Sequence, residues 1–230
     1  MKKIVVLTGA GISAESGIQT FRDADGLWEG HDVMEVASPQ GWNADPELVL
    51  DFYNQRRKQA LSAEPNKGHQ ALVELEKDFD VTIVTQNVDN LHEKAGSTNV
   101  IHLHGELFKS RSTVDESVVY EMDSWELNLG DLCEQGAQLR PHIVWFGEMV
   151  PMMDLAIEVT RSADVFLIVG TSLAVYPAAG LMHHTKPNTP KYIVDPNMPE
   201  VLPEPNLFLF EEKGGSGVAK VASILKEKFL

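Results

Sequence analysis

A short apolar run that is followed at once by a glycine-rich turn constrains this chain more than any other feature. Residues 4–7 are all apolar, which is typical of a strand buried on both faces. The chain then continues through Gly9, Ala10 and Gly11 to the small residue Ala14. A strand, a glycine turn and a helix in this order favour a dinucleotide-binding crossover, in which Gly9 permits the turn and Gly11 leaves room for a phosphate. The same glycine pair also occurs at ordinary turns. No acidic residue about twenty positions on ends a clear second strand, which argues against hydride transfer.

Apolar runs of this kind recur along the chain and alternate with helical patterns. The predicted strands cover residues 4–7, 81–84, 100–103, 143–145, 165–169, 192–194 and 207–210. The predicted helices between them cover residues 68–77, 153–162, 178–184 and 218–229. Strands that alternate with helices form parallel sheets covered on both faces. We therefore predict an α/β fold with a doubly wound, Rossmann-like parallel sheet.

Small and polar residues follow five of the predicted strands. Ligands of such sheets bind beyond the carboxyl ends of the strands, so these segments are the candidate site. They are residues 8–11, 85–90, 104–106, 170–172 and 195–197. Within the second segment, the amide of Asn87 and the carboxylate of Asp89 are suited to bind a carboxamide and to orient ribose hydroxyls or water.

Two histidines stand at the end of the third predicted strand. His102 and His104 are two residues apart and would share one face of a regular strand, as metal ligands can. No other histidine or carboxylate with supporting spacing follows, so we predict no metal. His104 directly precedes Gly105 and suits a general base near neutral pH, with a structural loop histidine as the alternative.

Composition excludes several classes of partner. The 230 residues carry a formal net charge of -15, which disfavours nucleic acid or an anionic membrane as the main partner. One cysteine, Cys133, cannot form an internal disulfide or a cysteine-only zinc site. The first apolar run is too short for a signal peptide and no run is long enough to span a bilayer, so we expect a cytoplasmic protein.

Residues 26–68 interrupt the alternation and contain a well-marked helix. Asp45 is its predicted N-cap and Pro46 its first residue. Arg56 falls within the apolar stripe, three residues after Tyr53. Two interpretations stay open. Arg56 and its basic neighbours can form a solvated face, or a fixed guanidinium beside a phenol can face a cleft and bind a carboxylate.

Residues 106–140 form a second interruption, rich in acidic side chains. Their apolar runs are short, and we predict a small excursion from the sheet with a hairpin near residues 118–122. The acidic spacing matches no known loop for a hard cation, so a solvated surface is expected.

Several separated motifs together resemble the sirtuin family of NAD-dependent protein deacylases. The resemblance covers essentially the whole chain, and the pair Tyr53 and Arg56 matches the Tyr-x-x-Arg motif of the subgroup that removes succinyl and malonyl groups. The other motifs are Gly9-Ala10-Gly11-Ile12-Ser13, Gly17-Ile18, Phe21-Arg22-Asp23, residues 85–92, His104-Gly105-Glu106, residues 144–148 and Gly170-Thr171-Ser172.

The resemblance implies a two-part architecture and a reaction. Residues 1–26, 69–105 and 142–230 would form the NAD-binding domain, and residues 27–68 and 106–141 a smaller lobe. An acyl-lysine protein or peptide would enter between them. Its acyl oxygen would attack the anomeric carbon of the nicotinamide ribose, releasing nicotinamide and giving free lysine and O-acyl-ADP-ribose.

The resemblance also assigns roles to individual residues. His104 resembles the base that deprotonates a ribose hydroxyl, with Asn87 and Asp89 on the nicotinamide side. Tyr53 and Arg56 would hold the acyl group, and Val144, Phe146 and Gly147 would pair with the substrate backbone as an added strand. The residues expected to contact NAD are Gly9, Ala10, Gly11, Ser13, Phe21, Arg22, Trp28, Gln86, Asn87, Val88, Asp89, Gly170, Thr171, Ser172, Asp195 and Ser216.

The chain departs from the family pattern in three places. The four zinc-binding cysteines are absent, so no zinc is expected. Gln19-Thr20 precedes Phe21 where many members have Pro-Asp, and Asp195 stands where asparagine is usual. The alternatives to a deacylase are a non-catalytic sensor of NAD or ADP-ribose and a protein ADP-ribosyltransferase.

Overall fold

The computed structural model describes residues 1–18, 27–28 and 30–230 of the chain. Its strands are β1 (Lys3–Thr8), β2 (Leu27–Trp28), β3 (His31–Asp32), β4 (Asp80–Thr85), β5 (Val100–His102), β6 (Gly105–Ser112), β7 (Val119–Glu121), β8 (Leu139–Ile143), β9 (Val165–Val169), β10 (Lys191–Val194) and β11 (Leu207–Phe210). Its α-helices are α1 (Ala10–Ser13), α2 (Val33–Val36), α3 (Pro39–Ala44), α4 (Pro46–Ser62), α5 (Lys67–Leu75), α6 (Leu91–Ala95), α7 (Met153–Ser162) and α8 (Gly214–Phe229).

Six of these strands form one parallel sheet in the order β11-β10-β9-β1-β4-β5. β1 lies between two parallel neighbours, so that Ile4 is in register with Val81 of β4 and with Val165 of β9. The predicted doubly wound sheet is therefore confirmed.

Helices cover both faces of this sheet, which explains why its strands are apolar without alternation. Ile4 and Val6 of β1 pack in a buried cluster with residues of α5 and α8. Val5 and Leu7 point to the opposite face and pack in a second cluster with residues of α7 and of the 3-10 helix Ala178–His184. The helix predicted at residues 178–184 is confirmed, and its hydrogen bonding is that of a 3-10 helix.

The order of the strands places a ligand site beside β1. From β1 the chain adds β4 and β5 on one side, and it then returns to add β9, β10 and β11 on the other. The chain thus changes direction between β1 and β9, and a crevice opens at the carboxyl ends of strands at such a switch point. The two loops that follow these strands contain residues 9–11 and 170–172.

A separate antiparallel sheet of β7, β6 and β8 belongs to the smaller lobe. Lys109 pairs with Glu121 across β6 and β7, which confirms the predicted hairpin. The predicted strand at residues 143–145 is wrong. β8 ends at Ile143 and runs antiparallel to β6. Ile143 packs in a cluster with residues of α4 and not against the parallel sheet.

Helix α4 begins where the sequence places it. The Asp45 side chain accepts a hydrogen bond from the Leu48 N–H at 3.0 Å, and Pro46 is the first helical residue. Across the described residues, no helix has both the length and the apolar character that a membrane span requires.

Candidate active site

The glycine turn after β1 packs directly on the loop that follows β9. The Gly9 N–H donates to the Val169 carbonyl at 3.0 Å, and the Gly11 N–H donates to the Gly170 carbonyl at 2.8 Å. A Cβ on Gly9 would lie 2.7 Å from the Gly170 oxygen, and a Cβ on Gly11 would lie 2.6 Å from the Gly170 Cα. Glycine is therefore required here by the contact between two loops. This contact is separate from the phosphate approach predicted for Gly11, which stays a prediction.

Ser13 links two side chains of the loop that follows β4. Asn87 Nδ2 donates to Ser13 Oγ at 3.0 Å, and Ser13 Oγ donates to Asp89 Oδ2 at 3.1 Å. All three side chains are buried. Burial raises the pKa of Asp89, while the hydrogen bonds from the Leu91 N–H and from Ser13 oppose that rise by favouring the carboxylate. The result is one fixed polar unit beside the glycine turn.

His104 follows β5, and the neighbouring loop orients its ring. His104 Nδ1 lies 3.0 Å from the Gln86 carbonyl oxygen. A carbonyl oxygen only accepts, so Nδ1 carries the proton and Nε2 is the basic nitrogen. Burial lowers the pKa of His104, and the hydrogen bond to Gln86 offsets only part of this effect. The ring is thus neutral at pH 7 and able to accept a proton at Nε2.

His102 does not share a ligand site with His104. Its Nδ1 lies 3.1 Å from the Asn87 carbonyl oxygen and its Nε2 lies 2.8 Å from Glu93 Oε1. The two histidines bind successive carbonyls of one loop instead of converging on a metal. Among the residues that the structure describes, no group of three or more histidine, cysteine or acidic side chains is arranged to hold a metal ion.

Helix α4 buries both residues of its Tyr-x-x-Arg pair. Tyr53 is 0% exposed and Arg56 is 8% exposed. The Arg56 guanidinium carbon lies 4.3 Å from the centroid of the Trp28 ring, which is a cation–π distance. The solvated basic face is therefore wrong for Arg56, and also for Arg57, which is fully buried. Lys58 alone of the three basic residues is exposed.

A partly buried ion pair between Arg140 and Glu148 lies against Trp145, whose indole contacts Tyr53. Glu148 accepts from Arg140 Nη1 and from the Trp145 backbone N–H, each at 2.7 Å, and Arg111 Nη2 lies 3.3 Å away. The Arg140 guanidinium carbon lies 3.3 Å from the Trp145 ring centroid. The indole Nε1–H donates to the Tyr53 hydroxyl at 3.1 Å. Sequence patterns do not predict this cluster, because its charged members lie on β6, on β8 and in the loop beyond β8.

These groups meet in one cleft of about 550 Å³ between the parallel sheet and the small lobe. His104 lines the cleft together with Asp89, Tyr53 and Arg56. The other predicted site residues in its lining are Gly9, Ala10, Gly11, Ser13, Trp28, Gln86, Asn87, Val88, Val144, Phe146, Gly147, Gly170, Thr171, Ser172 and Asp195. A basic nitrogen, a buried carboxyl group and a guanidinium thus share one concave site.

A profile of the Sir2 family matches residues 9–177 of the chain. The chain belongs to the Sir2 family. Two similar relatives are both named NAD-dependent protein deacylase. The one from Helicobacter pylori is 59% identical over 196 residues, which are 85% of this chain and 85% of the relative. The one from Bacteroides thetaiotaomicron is 49% identical in an alignment of 230 positions that covers 98% of this chain and 98% of the relative. The predicted family is confirmed.

Solved Sir2 structures superimpose on the whole chain. A crystal structure of a Sir2 homologue in complex with NAD has a TM-score of 0.89 at 40% identity, covering 99% of this chain and 90% of its own. A Sir2 bound to an acetylated peptide has a TM-score of 0.76 at 28% identity, covering 98% and 92%. These likenesses extend over the parallel sheet and the smaller lobe together.

One described residue predicted to contact NAD in this Sir2 chain, Ser216, does not line the cleft. Ser216 lies exposed in the first turn of α8, where its Oγ donates to the Lys213 carbonyl at 3.3 Å. Phe21 and Arg22 lie outside the described residues. Lys213 and Gly214 also line the cleft, although they were not among the predicted site residues. They follow the end of β11, as other site residues follow other strands of the parallel sheet.

The segment predicted to pair with the substrate backbone is already partly paired. The Val144 N–H donates to the His104 carbonyl and the Phe146 N–H donates to the Ala37 carbonyl, each at 2.9 Å. An added substrate strand therefore has to use other backbone groups of this segment. Gly147 has a φ of +90°, so the chain turns away from an extended conformation there.

The small lobe contains one thiol where the zinc-binding pattern of the family has four. Cys133 is buried, and its Sγ donates to Ser112 Oγ at 3.4 Å. Its N–H donates to the Ala137 carbonyl at 2.8 Å, closing the turn that carries it. A structural zinc site takes four ligands, mostly thiolates and imidazoles. The residues of this turn do not fit such a site, and local hydrogen bonds hold it instead.

Proposed function

We propose that this protein removes acyl groups from lysine side chains in a reaction that consumes NAD, and that it prefers succinyl and malonyl groups. The observation that carries the proposal is a single cleft that holds both the neutral His104 and the Tyr53–Arg56 pair. The names of the relatives and the NAD complex of a Sir2 homologue support the cofactor. The acetylated peptide on another Sir2 supports an acyl-lysine substrate.

The loops at the switch point fit a dinucleotide. Gln86 Nε2 donates to Thr171 Oγ1 at 3.1 Å, so the loops after β4 and β9 are joined across the crevice. Gly9, Gly11 and Gly170 leave the backbone without side chains where these loops meet, which suits contact with a pyrophosphate. When bound, NAD supplies a nicotinamide–ribose bond that breaks to activate the ribose.

The residues around His104 have the properties that this chemistry needs. His104 Nε2 takes a proton from a ribose hydroxyl, and its Nδ1–H stays on the Gln86 carbonyl throughout. The Asp89 carboxyl group, held by Ser13, lies on the side where positive charge develops as nicotinamide leaves. Asn87 is fixed by the same serine and orients the leaving carboxamide.

The Tyr53–Arg56 pair supports the preference for an acidic acyl group. The hydroxyl of Tyr53 accepts from Trp145, so its own proton remains available to a ligand carboxylate. The buried guanidinium of Arg56 adds a charge-assisted donor in the same cleft. An uncharged acetyl group offers neither donor a matching acceptor, and sites built around such donors reject substrates that lack the partner.

Turnover of matched peptides tests the proposal. Succinyl-, malonyl- and acetyl-lysine peptides are incubated with and without NAD, and free lysine peptide and nicotinamide are measured. We expect the acidic acyl groups to react faster. Arg56→Met should lower their kcat/KM about tenfold or more and change acetyl turnover little. His104→Ala should abolish turnover of every peptide.

Each contrary result removes a defined part of the proposal. An acetyl preference that Arg56→Met leaves unchanged removes the acidic-acyl part. Binding of NAD without nicotinamide release removes the catalytic part and favours a sensor. Nicotinamide release that leaves labelled ADP-ribose on protein, with the peptide still acylated, favours an ADP-ribosyltransferase.

A further inference from the structure

His102 makes two hydrogen bonds that define its charge. Its Nδ1 faces the Asn87 carbonyl oxygen at 3.1 Å and its Nε2 faces a Glu93 carboxylate oxygen at 2.8 Å. Neither oxygen can donate, so both ring nitrogens must carry a proton for both bonds to form. The geometry therefore describes an imidazolium, in contrast to the neutral ring of His104.

Glu93 is what keeps this imidazolium charged. Burial disfavours the charged form of His102, but the hydrogen bond and the negative charge of Glu93 outweigh burial and raise the pKa of His102. The pKa of Glu93 moves in the matching direction, since its hydrogen bond to His102 outweighs burial and lowers it. The His102 side chain is 8% exposed and that of Glu93 is 42% exposed, so the pair reaches from the buried loop to the surface.

The loop that follows β4 is held by its carbonyl groups. The Gln86 carbonyl accepts from His104, the Asn87 carbonyl accepts from His102, and the Val88 carbonyl accepts from the Leu107 N–H at 2.7 Å. His102 supplies the central one of these three bonds, the one to the Asn87 carbonyl. The side-chain amide of the same Asn87 binds Ser13. Loss of its Nδ1 donor would free the backbone that aims this amide.

We propose that His102, held as an imidazolium by Glu93, is a positioning residue that fixes the loop carrying Asn87 and Asp89 for binding of NAD. His102 itself does not line the cleft, so it acts through the Asn87 carbonyl. The role rests on the proposed NAD-dependent reaction. It also gives that reaction a second titrating histidine, distinct from the base.

Several charged groups surround His102 and share its environment. Asp89 lies on the positioned loop, and Glu106 of β6 adds negative charge that also favours the imidazolium. The charge of Lys109 of β6 helps to lower the pKa of Glu93. The pKa of His92 of α6 is lowered by burial and in part by the charge of His102. Removal of Glu93 alone leaves these groups in place, which makes Glu93 the position to change.

The variant Glu93→Gln separates the charge from the shape of this pair. Glutamine keeps the length of the side chain but no longer favours the imidazolium. Its amide can accept from Nε2 or donate to it, so the single proton of the neutral ring lies on Nδ1, where it reaches the Asn87 carbonyl, for only part of the time. The ratio of the variant's kcat/KM for NAD to that of the unaltered protein should be near one at pH 6 and should fall about fivefold by pH 8. The His104 titration occurs in both proteins and cancels in this ratio. Glu74→Gln, which removes an exposed partner of Lys77, is the matched control and should give a ratio near one at both pH values.

Two further measurements keep the role distinct from a purely structural one. Nitrogen-15 chemical shifts of the imidazole should show both His102 nitrogens protonated at pH 7.5, and the Glu93→Gln variant should show a neutral ring. His102→Gln should raise the KM for NAD at every pH, and the added Glu93→Gln change should have no further effect. If His102→Gln fails to fold, the Glu93→Gln ratios and the nitrogen-15 spectra still test the proposed role of His102.

The inference is overturned by a neutral His102 ring at pH 7.5 in the unaltered protein. It is equally overturned by a Glu93→Gln ratio that does not change between pH 6 and pH 8, even if the melting temperature falls. If the unaltered protein releases no nicotinamide, the proposed reaction fails instead, and the ratio is then measured on the Kd for NAD.

Discussion

The indole N–H of Trp145 donates to the hydroxyl of Tyr53 at 3.1 Å, inside a cluster in which both side chains are buried. This single bond sets the direction of the tyrosine proton, because an oxygen that already accepts from the indole presents its own O–H elsewhere. Arg140, on β8 of the small lobe, lies over the indole, and Glu148 in the loop beyond β8 accepts from the Trp145 backbone N–H. The lobe therefore influences the part of the cleft where an acyl group would bind.

Trp145→Phe is expected to weaken the reaction of acidic acyl groups selectively. Phenylalanine keeps an aromatic ring under Arg140 but cannot donate to Tyr53, so the tyrosine proton is no longer directed. The kcat/KM for a succinyl peptide should fall about three- to tenfold, and that for an acetyl peptide less than about twofold. Steady-state kinetics on both peptides measure the difference. The ring centroid of Trp42 lies 5.7 Å from that of Trp145, so Trp42→Phe is the control for the loss of a nearby indole. Equal losses for both peptides would contradict a role in selectivity.

Arg57→Met is expected to destabilise the fold rather than to change selectivity. The Arg57 guanidinium donates to the Trp125 carbonyl at 2.7 Å and to the Leu107 carbonyl at 3.3 Å, and it also donates to the Asn54 side chain. Burial lowers the pKa of Arg57 to about 10, so the group remains charged at neutral pH. Methionine would remove the side-chain donor of the Trp125 and Leu107 carbonyls, whereas the Asn54 oxygen would keep its bond from the Leu127 N–H at 2.9 Å.

We expect Arg57→Met to lower the free energy of unfolding by about 2–4 kcal/mol, as for other buried polar groups left without partners. Urea denaturation measures the change. Lys58→Met, at the adjacent exposed position, should change it by less than about 0.5 kcal/mol. Similar values for the two variants would show that the Arg57 hydrogen bonds contribute little.

Stability is expected to fall on the acid side because two histidines are buried in the neutral form. His69 and His92 are both fully buried, with ring centroids 4.9 Å apart. Burial lowers the pKa of His69 to about 4 and that of His92 well below its usual value, and the charge of each neighbouring histidine adds to the shift of His92. Both groups bind protons more strongly in the unfolded chain, so their stabilisation is complete above about pH 6.5 and is lost as the pH falls towards 4.

Each of these two groups adds at most about 1.4 kcal/mol per pH unit to the slope. Urea denaturation between pH 4.5 and pH 7.5 measures that slope. His69→Gln should reduce the number of protons taken up on unfolding by about one, and the slope falls accordingly. The exposed His183→Gln is the control and should leave the slope unchanged. A slope that is the same in all three proteins would show that His69 does not titrate differently on unfolding.

Local sequence patterns predicted much of this fold, and particular elements show why. β9 and α7 have the predicted bounds, since an unbroken apolar run and a helical stripe are local properties. The strand predicted at residues 143–145 failed, because an apolar run does not reveal which layer will cover it. β8 packs on α4 in the small lobe, a contact between segments distant in the chain.

The sequence alone determined the six strands of the parallel sheet and the polar residues at their carboxyl ends, because hydrophobic periodicity is a local property of the chain. It also placed Arg56 on the buried stripe of α4. Only the tertiary structure decided that Gly11 packs on Gly170, that His102 contacts the Glu93 carboxylate while His104 contacts the Gln86 carbonyl, and that Trp145 donates to Tyr53. Those properties depend on which distant atom lies within hydrogen-bonding distance, and residue type and spacing do not specify that atom.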